Sequence, residues 1–463
     1  MTWASYWREL RALSILTGPI LISQFSQAAY GLIDTIMAGQ VSALDLAAVA
    51  VGAGIWLPLF LLTTGTLLAT TPLVAEARGA GDHHRIPHIT HQALWLALIV
   101  GVIGLFVVRN ATPVLAWLDV PIELRSATAL YLEGVSWGMP AVGLFFVLRC
   151  YCEAQDRPLP VMVISLGGLV LNVFANALFI YGSDDTFLAF LNIPAMGGPG
   201  CGWATSVIMW TLSAIMFAYV LLAPSFNPVR LMRQWAPPHS AQIRATAALG
   251  FPIGLAIFFE VSSFSIVALL ISPLGAITVA GHQVAMSITS MIFMIPLSLA
   301  IALTIRIGQG YGAHDINAIN HSRRVGLTAT TLVASCTALL LLLFREPIAA
   351  VYSKDLDVQR LAAQLMLFAV VYQIADALQV GAAGCLRGIQ DTRSPMLLTL
   401  IAYWLVAIPF GYVAGSTELL GKAWGAHGYW AGLVLGLTVA SILLNWKLSW
   451  QIKTLRQRWL LRK

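Results

Sequence analysis

Three carboxylates, Asp34, Glu260 and Asp376, each lie inside an apolar stretch long enough to cross a lipid bilayer. A charged acid at the centre of a membrane helix costs roughly 2.5–3.5 kcal/mol on insertion scales, so acids found there usually line ion or substrate paths. The chemistry open to them is the capture and release of a cation. Asp34 stands near the outer end of its stretch, in Gly31-Leu32-Ile33-Asp34-Thr35. Asn172 and Asn176, spaced i,i+4 on one helix face, offer two amides with which it would form a polar pocket; an acid snorkelling to the interface is the plainer alternative. Glu260 and Asp376 stand near the middle of theirs, and Tyr372 precedes Asp376 by one turn. Two midplane acids suggest a cation site that a proton or a sodium ion would neutralise. Polar glue between helices is the competing reading, although an uncharged amide would serve that role at lower cost. His282 and Gln283 would either add ligands to the pair or form a polar contact between helices.

The elements that position these acids follow from composition. The chain is 59% hydrophobic and 10% charged over 463 residues, with a mean hydropathy of +0.81. That is more apolar side chain than a water-soluble core of this size holds. Stretches of about 20 apolar residues occur twelve times, at 13–38, 45–77, 88–109, 127–152, 158–182, 200–222, 243–271, 276–310, 321–344, 357–386, 395–415 and 425–450. None shows the two-residue alternation of a membrane β-barrel. The expected fold class is therefore an all-α polytopic membrane protein of twelve transmembrane helices. No cleavable leader is expected, because the first apolar run is longer than a signal core and lacks an evident cleavage site. Five dispersed cysteines suggest neither a disulfide framework nor a four-cysteine zinc site.

With both termini placed inside, twenty of the 26 Lys and Arg residues fall on inward segments, and six (Arg109, Arg125, Arg345, Lys354, Arg360 and Lys422) on outward ones. This asymmetry fits the positive-inside rule with both ends cytoplasmic. The net charge of +6 thus serves topology and calls for no nucleic acid. The basic tail after Trp450 is expected to rest on anionic headgroups. No partner subunit is called for, and a monomer in the lipid bilayer is expected.

The longest linker between apolar segments, 223–240, contains Pro224, Pro228, Pro237 and Pro238 and divides the chain into a six-helix lobe at 1–222 and another at 241–463. Similar sequences cross that divide. Gly18-Pro19-Ile20 is answered by Phe251-Pro252-Ile253, and Gly79-Ala80-Gly81-Asp82 by Gly312-Ala313-His314-Asp315, both 233 residues later. Gln155-Asp156 is answered by Gln390-Asp391, 235 residues later. Matches at nearly one offset argue for duplication into two parallel lobes, with a substrate path between them opened to alternate sides. The acids break the repeat, since Asp34 corresponds to Val267 and Glu260 to Gln27.

Other signals in the sequence are weaker. Glu133 is expected near the outer surface and solvated. Prolines 58, 140, 252, 296 and 409 fall inside predicted helices and free backbone carbonyls there, either at functional bends or as ordinary membrane-helix prolines. His83, His84, His88 and His91 cluster in an inward loop without an acid or cysteine to complete a metal site. Gly134-Val135-Ser136-Trp137-Gly138 matches a serine-hydrolase elbow, and His427 offers a base, but the elbow requires a strand-to-helix turn and Ser136 lies in a predicted membrane helix. No enzymatic activity is expected. There is no G-x-x-x-x-G-K-[ST] phosphate loop, so energy must come from an ion gradient.

The stretches Leu32-Ile33-Asp34-Thr35-Ile36-Met37-Ala38-Gly39, Phe258-Phe259-Glu260-Val261, Ala280-Gly281-His282-Gln283, Tyr372 to Val380 and Leu386-Arg387-Gly388-Ile389-Gln390-Asp391-Thr392 resemble the NorM branch of the multidrug and toxic compound extrusion (MATE) family. The likeness runs from about Gly18 to Trp450. It implies the MATE fold and a bacterial inner-membrane antiporter that exports cationic drugs and dyes, such as fluoroquinolones and ethidium, in exchange for Na+ or H+, with no other cofactor. It maps one cation site onto Glu260, Tyr372 and Asp376 and another onto Asp34 with Asn172 and Asn176. Gln283, Asp355 and Asp357 resemble drug-contacting positions at the outer mouth, and Asp34, Glu260 and Asp376 would also meet the drug. The alternatives are a major facilitator transporter, whose loop motif Gly79 to Arg85 imitates faintly, and a lipid-linked oligosaccharide flippase, which would favour a cationic cavity.

The charge asymmetry places the 183–198 loop outside and predicts that, in a cysteine-free background, Ser183→Cys reacts with an impermeant maleimide in intact cells while Ser240→Cys reacts only after lysis. The reverse pattern overturns the assigned orientation.

Overall fold

The computed structural model describes residues 3–117, 120–183, 189–224, 226, 231, 235–419 and 422–461. Pro228, Arg230 and Arg233 of the predicted linker, and Arg462 and Lys463 of the tail, lie outside the described residues. The described chain is helical throughout: α1 (Trp3–Val41), α2 (Ala43–Leu67), α3 (Thr70–Gly79), α4 (Arg85–Arg109), the short α5 (Thr112–Trp117), α6 (Ile122–Ser136), α7 (Met139–Ala154), α8 (Pro158–Tyr181), α9 (Gly200–Leu222), α10 (Ser240–Ile271), α11 (Ala276–Gly312), α12 (Ile316–Tyr352), α13 (Leu356–Gly388), α14 (Arg393–Leu400), α15 (Ile408–Ser416) and α16 (Ala426–Leu460).

All twelve expected segments are helical, but three are not single regular helices. The second is interrupted at Leu68-Ala69 into α2 and α3. The fourth is bent by 42° between α6 and α7, where Gly138 is followed by Pro140 in the first turn of α7. The eleventh is α14, a π-helical stretch Ile401–Ala407 and α15, with Pro409 in the first turn of α15. Proline has no N–H to give the preceding turn, and a wider turn accommodates that loss. Here the Ile408 N–H reaches back to the Tyr403 carbonyl.

Several helices outrun their apolar stretches. The predicted 13–38 becomes Trp3–Val41, 321–344 becomes Ile316–Tyr352 and 425–450 becomes Ala426–Leu460. At 1.5 Å per residue the 37 residues of α12 rise about 56 Å, against a hydrocarbon core of ~30 Å. The apolar criterion measures the bilayer, whereas a polar turn extends the helix into water with its hydrogen bonds intact. Asp315 caps α12 by accepting from Asn317 N and Ala318 N, and Asp355 caps α13 by accepting from Asp357 N and Val358 N.

Contacts gather the chain into two compact units. The N-terminal unit comprises Pro19–Arg78 and Asp82–Gly254, and the C-terminal unit comprises Met1–Gly18, Gly79–Gly81 and Leu255–Lys463. α1 thus changes unit at Gly18–Pro19 and α10 at Gly254–Leu255, each close to a proline of the repeated sites. The first turns of α1 are fastened inside the C-terminal unit by Glu9, whose carboxylate takes Arg306 Nε at 3.0 Å and Nη2 at 2.6 Å and the Ser322 hydroxyl at 2.6 Å.

Within each unit the helices close on glycine. A Cβ at Gly384 of α13 would stand 2.5 Å from the Ala300 carbonyl oxygen of α11, and one at Gly388 would stand 3.0 Å from the Thr304 carbonyl oxygen. The Thr304 hydroxyl bonds across to the Gly384 carbonyl at 2.9 Å. Small residues four apart let backbones approach when lipid supplies no hydrophobic drive to association. Gly384→Ala is therefore expected to destabilise the purified protein by about 1–3 kcal/mol, the usual cost of overpacking. Gly167→Ala, with nothing within 4 Å of the new methyl, is expected to leave thermal stability unchanged or slightly raised. Equal melting temperatures for both variants would contradict this packing argument.

Candidate functional site

In the N-terminal unit, one face of α1 brings Tyr30, Asp34 and Ala38 inward at four-residue spacing. Asp34 is 6% exposed, which removes the snorkelling alternative. Its Oδ1 accepts from Asn176 Nδ2 at 2.6 Å and Asn172 Nδ2 at 3.2 Å, and its Oδ2 accepts from the Thr205 hydroxyl of α9 at 3.1 Å. The amides are themselves joined, Asn176 Nδ2 to Asn172 Oδ1, at 3.3 Å. One turn earlier, the Tyr30 hydroxyl donates to the Ser165 carbonyl at 2.8 Å and ties α1 to α8. Asp34 is therefore held by three neutral donors, with no basic side chain among its described hydrogen-bond partners, while Asn176 Oδ1 has no partner among the described residues.

The same unit holds a second buried charge that is balanced. Arg149 and Glu153, one turn apart on α7 and each 1% exposed, pair at 2.7 Å. Arg149 Nη1 also donates to Gln27 Oε1 at 3.1 Å. Gln27 is the repeat counterpart of Glu260, so the position that carries an acid in one half carries an amide facing a guanidinium in the other.

In the C-terminal unit, Glu260 Oε1 accepts from the Tyr403 hydroxyl at 3.4 Å, and that hydroxyl also lies 3.5 Å from Gln379 Oε1. Tyr403 stands in the π-helical stretch, whose neighbour Trp404 donates to the Phe259 carbonyl at 3.2 Å and holds this part of α10. Arg387, 8% exposed, acts electrostatically on Glu260, and Glu260 on Asp376. Tyr372 and Asp376 are buried side by side on α13, and Tyr372 stacks on Trp430 at 6.1 Å. Both line an enclosed pocket with Thr289, Pro296, Thr330 and Gln373. Glu260 does not line it.

The remaining sequence candidates separate from these clusters. Gln283 is exposed, and buried His282 takes its hydrogen bond from Trp430 Nε1 at 3.1 Å; neither lines the pocket at Asp376, so the idea that they extend the acid pair is not upheld. Asp355 caps α13, and exposed Asp357 faces Arg360 at 3.5 Å. Glu133 is half-exposed and paired with Arg109 at 2.7 Å. The Ser136 hydroxyl is spent on the Glu133 carbonyl at 2.7 Å, and His427 bonds Gln364 at 3.0 Å, so each of these two already has another hydrogen-bond partner. Among the described residues no three His, Cys, Asp or Glu side chains converge as metal ligands; His91 instead accepts from the Ala236 N–H at 3.3 Å.

Sequence reasoning missed Thr205, Gln373, Gln379 and Tyr403. A threonine in an apolar helix ordinarily bonds its own backbone, as Thr211 does to the Val207 carbonyl, so Thr205 carried no signal. Tyr403 carried a weak one, being a phenol six residues before a proline inside an apolar run.

The MatE family model matches residues 19–178 and 252–413. The chain is 46% identical over 440 residues to a probable multidrug resistance protein NorM of Acinetobacter baylyi, covering 95% of this chain and 96% of that one. It is 45% identical over 442 residues to the multidrug resistance protein PmpM of Pseudomonas aeruginosa, covering 95% and 91%. The fold is similar to that of the eukaryotic MATE transporter AtDTX14, with a TM-score of 0.85 at 18% identity, covering 98% of this chain and 100% of that one. These matches set aside the major facilitator architecture.

The two kinds of buried acid predict opposite responses to neutralisation. Glu153→Gln strands the Arg149 guanidinium and is expected to cost about 3–5 kcal/mol. Asp34→Asn removes a charge that no base balances and is expected to leave thermal stability equal or higher. A melting temperature that falls as far in Asp34→Asn as in Glu153→Gln would refute the distinction.

Proposed function

The chain belongs to the MatE family, and from that premise we propose that it is a secondary active antiporter of the bacterial inner membrane, both termini cytoplasmic, which expels cationic lipophilic drugs and dyes in exchange for Na+ or H+. One observation carries the reading. Each unit keeps one buried carboxylate, Asp34 or Asp376, for which the described residues provide no ion-pair partner, while buried Glu153 is matched by Arg149 and buried Glu9 by Arg306, and half-buried Glu260 has Arg387 acting on it. A buried carboxylate of that kind is an open position for a cation. The multidrug resistance proteins among the relatives agree with it.

Exchange requires that driving ion and drug compete for, or otherwise couple through, the same groups. Glu260, Tyr372 and Asp376 would form the coupling set of the C-terminal unit, and Asp34 with Asn172 and Asn176 that of the N-terminal unit. A lipophilic cation such as ethidium or a fluoroquinolone would meet the acids by charge and nearby aromatic rings by cation–π contact. Gln283, Asp355 and Asp357, on or near exposed helix ends, would serve at the outer mouth. A flippase for lipid-linked oligosaccharide would be served by cationic groups facing its substrate, and the unbalanced acids argue against it.

The test is dye efflux from proteoliposomes under imposed sodium or proton gradients. Asp376→Asn and Glu260→Gln are expected to express and fold normally, to lose efflux, and to bind drug in a manner that no longer responds to the driving ion. Wild-type efflux by both variants would end the assignment of the coupling site to the C-terminal unit and move it to Asp34.

A further inference from the structure

His282, a buried histidine of α11 in the C-terminal unit, has as yet no role. Its Nδ1 accepts the indole N–H of Trp430 on α16 at 3.1 Å. An indole nitrogen is a donor only, so Nδ1 must present its lone pair, and the imidazole is the neutral tautomer with its proton on Nε2. Trp430 is fully buried, and its ring lies stacked on that of Tyr372 of α13, with centroids 6.1 Å apart and planes 24° apart. Tyr372 is in turn bonded to Thr289 of α11 and stands one turn before Asp376. A chain of contacts thus runs from His282 through two aromatic rings to the residue beside the acid.

The backbone leaves Trp430 little choice of position. Gly428 and Gly432 share one face of α16, where a Cβ would stand 2.5 Å from the Gly415 nitrogen and 2.5 Å from the Ala407 carbonyl oxygen. α16 therefore runs in backbone contact with α15 and the turn before it. With 3.6 residues per turn, Trp430 projects from the opposite side. What stays free is rotation about its own side-chain bonds, and the hydrogen bond to His282 removes that freedom. A buried indole needs an acceptor, but a hydroxyl would meet that need without an imidazole. The imidazole does more, because it meets the indole edge to face, at 5.9 Å and 78°, and so bounds the ring as well as holding its N–H.

We propose that His282 and Trp430 are a positioning pair for the coupling set of the C-terminal unit. His282 orients the indole, the indole face sets the ring of Tyr372, and Tyr372 is thereby held beside Asp376 in the geometry that ion capture requires. Neither member of the pair is hydrogen-bonded to Glu260 or Asp376 among the described residues, so both act through Tyr372. The inference rests on the assignment of Tyr372 and Asp376 to the coupling set.

Ethidium efflux from proteoliposomes is measured against the concentration of the driving ion, sodium or proton, with the melting temperature of each protein recorded beside it. The proteins are wild type, Asp376→Asn, His282→Leu, His282→Asn, Trp430→Phe and the double variant His282→Leu with Trp430→Phe. His282→Leu and Trp430→Phe are each expected to raise the ion concentration for half-maximal efflux about tenfold, or about one pH unit if the ion is the proton, and to leave the ethidium KM unchanged. His282→Asn, which keeps an acceptor where Nδ1 stood, is expected to retain the wild-type value. His282→Leu alone leaves a buried N–H unmet; should it fail to fold, Trp430→Phe and the double variant, which strand no indole N–H, decide the matter. Wild-type ion dependence in these two, with only the melting temperature altered, overturns the proposal and reduces the pair to a polar contact. A changed ethidium KM with ion dependence unmoved overturns it as well. In both cases the coupling set stands if Asp376→Asn has lost efflux. Full efflux by Asp376→Asn instead ends the coupling set, and the pair then has nothing to position.

Discussion

No charge can be left to itself in hydrocarbon, and the interior of this protein is organised around that constraint. Four acids of the membrane helices are answered differently. Glu153 has a guanidinium one turn away, Asp34 has two amides and a hydroxyl, Glu260 has a phenol with Arg387 nearby, and Asp376 keeps one oxygen unmet. The first arrangement is closed, because removing either partner is costly. The others are graded towards openness. Neutral donors hold a carboxylate in place without cancelling its charge, which is what a site must do if its occupant is to leave again.

Backbone groups obey the same constraint, and this explains the departures from regular helix. Hydrogen bonds lost at a proline must be recovered within the membrane. Before Pro409 they are recovered by a widened turn, which brings Tyr403 to Glu260 and Trp404 to the Phe259 carbonyl. One local irregularity therefore sets the environment of Glu260, on α10, far earlier in the chain. Elsewhere the opposite device operates: glycines such as Gly384 and Gly388 bring α13 against α11 so closely that side chains between them are excluded.

The number and order of membrane helices were legible because apolar length reports bilayer thickness directly. Their ends were not, since a polar turn at Asp315 or Lys453 looks like loop by composition yet continues as helix. Asp34 with Asn172 and Asn176 was legible in part: i,i+4 spacing shows that the amides share a face, but not which helix that face meets. Asp376 and Tyr372 were legible as neighbours on one helix. Thr205, Gln373 and Thr330 were not, because a hydroxyl or amide in an apolar run has the same appearance whether it faces its own backbone or a pocket. The offset repeat identified the duplication, but not that α1 and α10 change units partway along their length.

That crossing bears on how the chain is made. Glu9 lies near the beginning of the sequence, yet the arginine that binds it follows 297 residues later. During synthesis the first helix must enter the membrane while the pocket for its leading turns does not yet exist, and its acid must stay hydrated at the surface until α11 and α12 have been inserted. The first turns of α1 therefore settle into their own unit only after α11 and α12 have been made, late in translation, while the rest of the same helix belongs to a unit whose residues have all emerged by Gly254.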